Sequence, residues 1–157
     1  MSLPEAFANE MRDHIRSLVQ TGFEKPNTIV EESIEYFDDD IPEGIDTATL
    51  RGFATEVTQQ LVQEHIEAQK TWPAITDCDR LDLSFVELES RGIVCRQNFS
   101  CCGNCGSAEI WDEIDEAHQS KVIRGYVFYH MQDTESAVEG YGLYLNYGSV
   151  EEGEGNR

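Results

Sequence analysis

The apolar residues of this chain change their spacing near residue 75, and this change constrains the fold more than any other feature of the sequence. Before that point they recur every three or four positions, which predicts amphipathic helices. The first helix carries Phe7, Met11 and Ile15 on one face, and Asp46 is placed to cap a long helix from position 47 to about position 71. The pattern therefore predicts a helical part over residues 1–75.

Two further helix starts can be located from capping residues. Thr28 and Glu31 have the spacing of a capping box before an apolar run, which predicts the start of the second helix. Thr76 or Asp77 is placed to cap a fourth helix, whose apolar positions follow directly. The first half of the chain and the residues just beyond it are therefore expected to contain four helices.

Short apolar runs of strand length characterise the rest of the chain. They cover residues 93–99, 125–131 and 142–147, and helical patterns separate them, the second with Asp133 as its cap. Residues 76–150 thus predict the order β-α-β-α-β, which is typical of helices packed on a parallel or mixed sheet. We expect an α+β protein, α/β-like in its second half, in which N-terminal helices pack with a small three-stranded, largely parallel or mixed sheet.

The expected domain organisation is simple. The linkers between the predicted elements are short, so residues 1–150 are expected to form a single compact domain. Hydrophobic residues make up 39% of the chain, which is enough for a real core. Residues 151–157 are charged and contain glycine, so they predict a disordered acidic tail.

The charge of the chain excludes several classes of partner. There are 31 acidic and 11 basic side chains, which gives a formal net charge of −20 at pH 7. Such a charge repels phosphate backbones and anionic membrane surfaces, so we expect no nucleic-acid partner and no membrane binding. It suits either a basic protein partner or plain solvation of the surface. Because no secretory signal and no apolar run of roughly 18 residues is found, we expect a cytoplasmic protein.

Three of the five cysteines fall within five residues, at Cys101, Cys102 and Cys105, between a predicted strand and a predicted helix. In a reducing compartment they are free thiols, metal ligands or redox groups. The unpaired amides and the dipole of a helix N-terminus stabilise a thiolate, so one of the three is expected to have a lowered pKa. This cluster is the one chemically unusual feature of the sequence.

Zinc binding is one hypothesis for the cluster. The spacing Cys102-x-x-Cys105 suits two tetrahedral ligands around a tight turn, and Cys101 or Cys95 would add a third. The remaining ligand would come from elsewhere in the chain, where the candidates are His118, His130 and Cys78. A second C-x-x-C, which makes a zinc ribbon recognisable, is missing from the sequence.

Two other interpretations stay open. A strand, a C-x-x-C and a helix form the order of thioredoxin-like redox sites, but all four prolines precede the cluster, and such sites need one that faces the thiols from a later strand. Alternatively, the cysteines are small residues that fill a strand-to-helix turn with Gly103 and Gly106. His130 is a candidate general base near Asp133, although a hydrogen-bonded core histidine is the commoner role.

The second half of the chain resembles a family of bacterial proteins of unknown function. The resemblance rests on WPAITDCDRLD, RGIVCRQNFSCC, RGYVFYHMQDTE, AVEG and GLYL, with CG and EI between them (residues 72–82, 91–102, 124–135, 137–140, 142–145, 105–106 and 109–110). It implies that Cys101, Cys102 and Cys105 are motif positions, whereas Cys95 is often replaced. Relatives continue into a further helix and strand, so the resemblance also implies an uncovered sheet edge here and pairing with a second copy as a homodimer.

No nucleotide-binding loop, nucleophile elbow or zinc-protease motif occurs in the sequence. Because no catalytic constellation stands out, we expect a non-enzymatic binding or interaction protein without a cofactor. The alternative is a thiol site, zinc-binding or redox-active, at Cys101, Cys102 and Cys105.

Overall fold

The computed structural model describes residues 3–150, so the tail predicted at 151–157 lies outside the described residues. The chain divides into two compact units, Met1–Trp72 and Pro73–Arg157, which are described separately. The expectation of one compact domain over residues 1–150 stays a prediction. Within the part of the chain that the structure describes, no helix is both long enough and apolar enough to cross a membrane.

The described residues of the first unit, 3–72, form three α-helices and one short 3₁₀ turn. Asp46 caps the last helix as predicted, because its carboxylate accepts a hydrogen bond of 2.7 Å from the amide of Thr49. The predicted cap at Thr28 is wrong: the second helix begins two residues earlier at a proline, whose fixed φ suits the first helical position. The elements are α1 (Glu5–Thr21), α2 (Pro26–Tyr36), the 3₁₀ turn (Asp38–Asp40) and α3 (Thr47–Gln69).

The core of this unit contains the apolar faces that the sequence predicts for its three helices. Met11 and Ile15 of α1 and Leu50 of α3 are completely buried. His14 lies beside this core, where its ring stacks on Tyr36 of α2 at a centroid distance of 4.2 Å. Its Nε2 atom is buried and has no hydrogen-bond partner in the described part of the chain. Burial lowers the pKa of His14, because a desolvated imidazolium is unfavourable.

This histidine predicts that the first unit loses stability in mild acid. The unfolded chain takes up the proton near pH 6.5 and the folded chain only at lower pH, so stability falls as the pH drops below about 6.5. Because the ring is only partly buried, we expect a loss of at most about 1 kcal/mol. Urea denaturation at pH 7.5 and 5.5 measures it. In His14→Phe the loss between the two pH values should be smaller by that amount, and an equal loss in both proteins would contradict the assignment.

The second unit is an α+β structure around a three-stranded mixed sheet, which confirms the predicted fold class. Strand order is β1-β2-β3, with β1 parallel to β2 and β3 antiparallel to β2. The elements are α4 (Asp77–Ser90), β1 (Ile93–Arg96), α5 (Gly103–His118), β2 (Gly125–Phe128), α6 (Met131–Val138) and β3 (Asn146–Ser149).

The two long helices of this unit cover opposite faces of the sheet. Side chains alternate along a strand, so Val94 of β1 packs with Ile110 and Ile114 of α5, whereas Cys95 packs with Phe85 of α4. The register pairs Ile93 with Gly125 and Gly125 with Ser149. The sheet is thus enclosed between α4 and α5, and α5 begins beyond the carboxyl end of β1.

The strands differ from the predicted ones in their bounds. The first ends at Arg96 rather than at 99, because Asn98 adopts a left-handed backbone with φ 48°. The second ends at Phe128, because the chain turns there into α6. The third covers Asn146–Ser149 instead of 142–147, since its position is set by pairing with Gly125–Phe128.

Two helices of this unit, α4 and α6, begin with a capping box, whereas α5 has no side-chain cap. Thr76 caps α4 with Asp79 as its reciprocal partner, which confirms one of the two predicted caps. The predicted cap of α6 is wrong in its residue, because His130 occupies the cap and Asp133 lies three positions later as its partner.

Candidate thiol site

The chain between β1 and the first turn of α5, residues 97–105, is called the thiol corner here. Cys102 is the residue directly before the first residue of α5, and Cys105 lies in the first helical turn. Their sulfur atoms and that of Cys101 all lie within 4.8 Å of one another. Cys101 is exposed, and the other two are partly exposed. The structure therefore brings together the three predicted thiols and leaves them accessible to solvent.

The conformation of the thiol corner depends on two residues with left-handed backbone. Asn98 has φ 48° and Ser100 has φ 65°, a region that costs of order 1–3 kcal/mol for residues other than glycine. Partners in the chain after β2 hold this conformation. The amide of Phe99 donates to the Tyr129 carbonyl at 2.8 Å, and the amide of Met131 donates to the Ser100 carbonyl at 3.1 Å. The corner is thus fixed from outside, before any ligand binds.

A side-chain hydrogen bond adds to this support. The Thr134 hydroxyl of α6 donates to the side-chain carbonyl of Asn98 at 2.8 Å. Thr134 itself is buried, so water competes little for this bond. The three bonds together join the thiol corner to the end of β2 and the first turn of α6.

The sequence suggested that Gly103 and Gly106 form the strand-to-helix turn. The structure shows that they do not. Neither Gly103 nor Gly106 has a positive φ. Gly106 is needed because α5 approaches β2 closely: a Cβ atom there would lie 2.5 Å from Cε2 of Phe128, which is completely buried. This close contact sets how near the start of α5 lies to the sheet.

The helix start makes the thiols unequal. The amides of Cys105 and Asn104 and the neighbouring thiols lower the pKa of Cys102, because they stabilise the negative charge of the thiolate. The amide of Cys105 makes the largest contribution to this shift. The neighbouring sulfurs raise the pKa of Cys105 to about 11. Deprotonation is therefore expected first at Cys102.

Three sulfurs at this separation can share one metal ion. Tetrahedral zinc with Zn–S bonds of about 2.3 Å requires sulfur–sulfur distances of about 3.8 Å. The observed limit of 4.8 Å leaves only a small adjustment, which rotation of the three cysteine side chains can supply. Among the described residues, these three form the only group of potential ligands close enough to hold an ion.

His130 lies beside the three cysteines, but its imidazole contacts Asp133 and the start of α5. A Cβ atom on Gly103 would be 3.4 Å from its Nε2 atom, so the imidazole packs against the start of α5. Its Nδ1 atom accepts from the amide of Asp133, and its Nε2 atom lies 3.1 Å from an Asp133 carboxylate oxygen. His130 therefore caps α6 through Nδ1, and its nitrogens are not part of the three-sulfur group.

The other predicted ligands are placed away from the thiols. His118 is the last residue of α5, roughly 20 Å along the helix axis from the start of α5. Cys78 lies exposed in the first turn of α4 and is not part of the three-sulfur group.

Cys95 is buried on the sheet, where desolvation raises its pKa to about 11. It lines a shallow cavity of about 260 Å³ beneath α4. This placement agrees with a packing role for Cys95. Cys95, His118 and Cys78 all lie outside the thiol corner.

Several residues that shape the site were not predicted. Asn98 and Ser100 lie close to the cysteines in sequence, but no sequence pattern around them predicts a left-handed backbone. Asn146 donates to the Asp133 carboxylate at 3.4 Å, and this contact depends on the pairing of β3 with β2. Arg96 pairs with Glu113 at 2.6 Å. A basic residue within a buried strand is the sequence signal that could have predicted this pair.

Fold and site together define an α+β protein with a preorganised cluster of three thiols at a strand-to-helix corner. The chain belongs to the family described as Domain of unknown function (DUF6891), whose model matches residues 4–157. This confirms the resemblance to a family of unknown function. No curated protein and no solved structure matches the chain.

Proposed function

We propose that this protein binds a thiophilic metal ion, Zn²⁺ in the first instance, through Cys101, Cys102 and Cys105. The observation that carries the proposal is the convergence of the three sulfur atoms within 4.8 Å. Zinc thiolate sites use this ligand type, and the helix amides that favour a thiolate at Cys102 also favour a metal ligand there.

The environment of the sulfurs supports a ligand role over a packing role. The apolar clusters of the described residues include Cys95 but none of the three sulfurs of the thiol corner. Side chains that serve as small apolar fillers are normally buried, whereas Cys101 is exposed. The net charge of −20 also raises the local concentration of cations around the molecule.

Three protein ligands leave one tetrahedral position for water or another small ligand. In zinc proteins this arrangement is typical of sites that exchange a ligand, whereas structural sites have four protein ligands. Because no fourth Cys, His, Asp or Glu of the described residues joins the three sulfurs, the fourth position is expected to face solvent.

Zinc titration of the reduced full chain in competition with a chromophoric chelator tests the proposal. We expect one ion per chain, and we expect Cys102→Ser and Cys105→Ser to weaken binding by on the order of 100-fold or more, since each removes one of few strong ligands. Serine is a favoured N-cap residue, so Cys102→Ser should keep the fold. The matched control is Cys78→Ser, which removes an exposed thiol outside the cluster.

The pattern among the variants decides the outcome. Equal zinc affinity in the wild type, Cys102→Ser and Cys105→Ser would place the ion on surface carboxylates and overturn the proposal. Absence of a bound ion in the reduced wild type would overturn it as well. Cobalt absorption in the visible range gives a second measurement, because tetrahedral thiolate ligation produces intense bands that carboxylates do not.

The other expectations from the sequence stay predictions. A basic partner is suggested only by the charge of the chain. A homodimer would use an edge of the sheet, where β3 presents Tyr147 with an exposure of 80%. A cytoplasmic location likewise stays a prediction.

A further inference from the structure

We propose that oxidation closes a disulfide between Cys102 and Cys105 and thereby expels the bound metal ion. This inference rests on the proposed metal site and assigns a form of regulation to it. It would make metal occupancy depend on the redox state of the surroundings. The argument uses the placement of the three thiols on the helix start.

The pair is selected by geometry. Cys102 at the cap and Cys105 three residues later lie on the same side of the first turn. Their sulfur atoms lie within 4.8 Å of each other. A disulfide brings two Cβ atoms to about 3.5–4.5 Å, so closure needs rotation of both side chains together with a small shift of the backbone at the helix start. The hydrogen bond of 2.9 Å from the Gly106 amide to the Cys102 carbonyl keeps the two residues in register.

The alternative pairs are less well placed. Cys101 and Cys102 are adjacent, and bridging adjacent residues forces the planar peptide bond between them out of its preferred geometry. Cys101 also precedes the helix, on the backbone that the Met131 amide holds through Ser100. Cys101 therefore acts only as the third metal ligand, and it stays a free thiol when Cys102 and Cys105 form the disulfide.

The thiols of the pair are accessible to an oxidant. Cys102 and Cys105 are partly exposed, in contrast to the buried Cys95. The oxidant that we assign is a hydroperoxide, ROOH, which accepts two electrons as its O–O bond breaks. The buried Cys95 should therefore remain a thiol when the pair reacts.

The reaction balances in two steps. A cysteine sulfur attacks the outer peroxide oxygen, the O–O bond breaks, and the alkoxide leaves as ROH after taking up one proton. The second sulfur attacks the resulting sulfenic acid, which forms the S–S bond and releases water with a second proton. In sum, two zinc-bound thiolates, ROOH and two protons give the disulfide, ROH, water and free Zn²⁺.

Metal release follows from the loss of ligands. Zinc has no redox chemistry of its own, and a disulfide sulfur is a much poorer ligand than a thiolate. After closure only Cys101 remains, and a single thiolate on the surface holds zinc weakly. Reduction of the disulfide by a dithiol returns the two electrons and restores the three-sulfur site.

The experiment uses the full chain loaded with one equivalent of Zn²⁺ and treated with one equivalent of an alkyl hydroperoxide. Released zinc is measured with a chromophoric indicator, and the disulfide is identified by alkylation and non-reducing peptide mapping of the same sample. We expect release of one ion per chain together with the Cys102–Cys105 disulfide, and rebinding after addition of a dithiol. Cys78→Ser should behave as the wild type.

The outcomes separate this inference from the proposed function. Zinc that is bound but not released, or released without a Cys102–Cys105 disulfide, would overturn the redox inference and leave the metal site standing. A chain that binds no zinc before oxidation would overturn the proposed function and this inference with it. Because the wild-type peptide map identifies the bonded pair, the result does not depend on whether a cysteine variant folds.

Discussion

Replacing Gly106 by alanine is expected to destabilise the second unit strongly. A glycine-to-alanine change inside a helix normally stabilises a protein by up to about 1 kcal/mol. Here the new methyl group would lie 2.5 Å from Cε2 and 2.9 Å from Cζ of Phe128, whose ring is completely buried, so either the ring or the helix would have to shift. We expect a net loss of about 2–3 kcal/mol in the free energy of unfolding.

Urea denaturation followed by fluorescence measures this loss, with a Trp72→Phe background so that Trp111 of α5 reports on the second unit. Gly103→Ala is the control in the same helix, because its Cβ would meet only ordinary contacts, the nearest at 3.4 Å. Adding Phe128→Leu to Gly106→Ala should recover part of the loss, since the two sites are in contact. Equal stability of the two alanine variants would show that the close approach of α5 to β2 is not as described.

Zinc is expected to stabilise the second unit by an amount that follows from its affinity. An ion that binds only the folded state adds about 2.7 kcal/mol when its concentration is 100 times the dissociation constant. The thiol corner is already held by its hydrogen bonds to Tyr129 and Met131, so little of the binding free energy is spent on ordering the chain. We therefore expect a clear upward shift of the thermal midpoint when zinc is added to reduced protein.

Removal of the ion with a chelator should reverse the shift, and Cys105→Ser should show almost none of it. Cys78→Ser is again the matched control and should respond as the wild type. A shift of the same size in Cys105→Ser would assign the stabilisation to carboxylates and contradict the thiol site. A zinc-induced loss of stability in the wild type would contradict it too, because it would mean that the unfolded chain binds the ion better.

The fold was predictable where local rules decide it. Asp46 and Thr76 were recognised as caps because a cap needs only its own helix start. The position of the third strand was not predictable in this way. Leu143 and Tyr144 are apolar and suggested a strand, but the pairing with Gly125–Phe128 selects Asn146–Ser149. Register is a property of two strands, and the sequence of one does not contain it.

The same distinction applies to the site. The proximity of Cys101, Cys102 and Cys105 was predictable because they are close in sequence and precede a helix. The role of Gly106 was not, since it is set by Phe128, which lies on another element. The position of His130 was misjudged for a related reason: its partner Asp133 was assigned to the cap that His130 itself occupies.

The hydrogen bonds between the thiol corner and the start of α6 have a consequence for local opening of the protein. The amides of Phe99 and Met131 are bonded to carbonyls of Tyr129 and Ser100, so neither can exchange with solvent unless the two segments separate. The thiols and the N-terminus of α6 therefore open as one unit. Zinc binding at the thiols should therefore slow amide hydrogen exchange also in α6, at residues that do not contact the sulfur atoms.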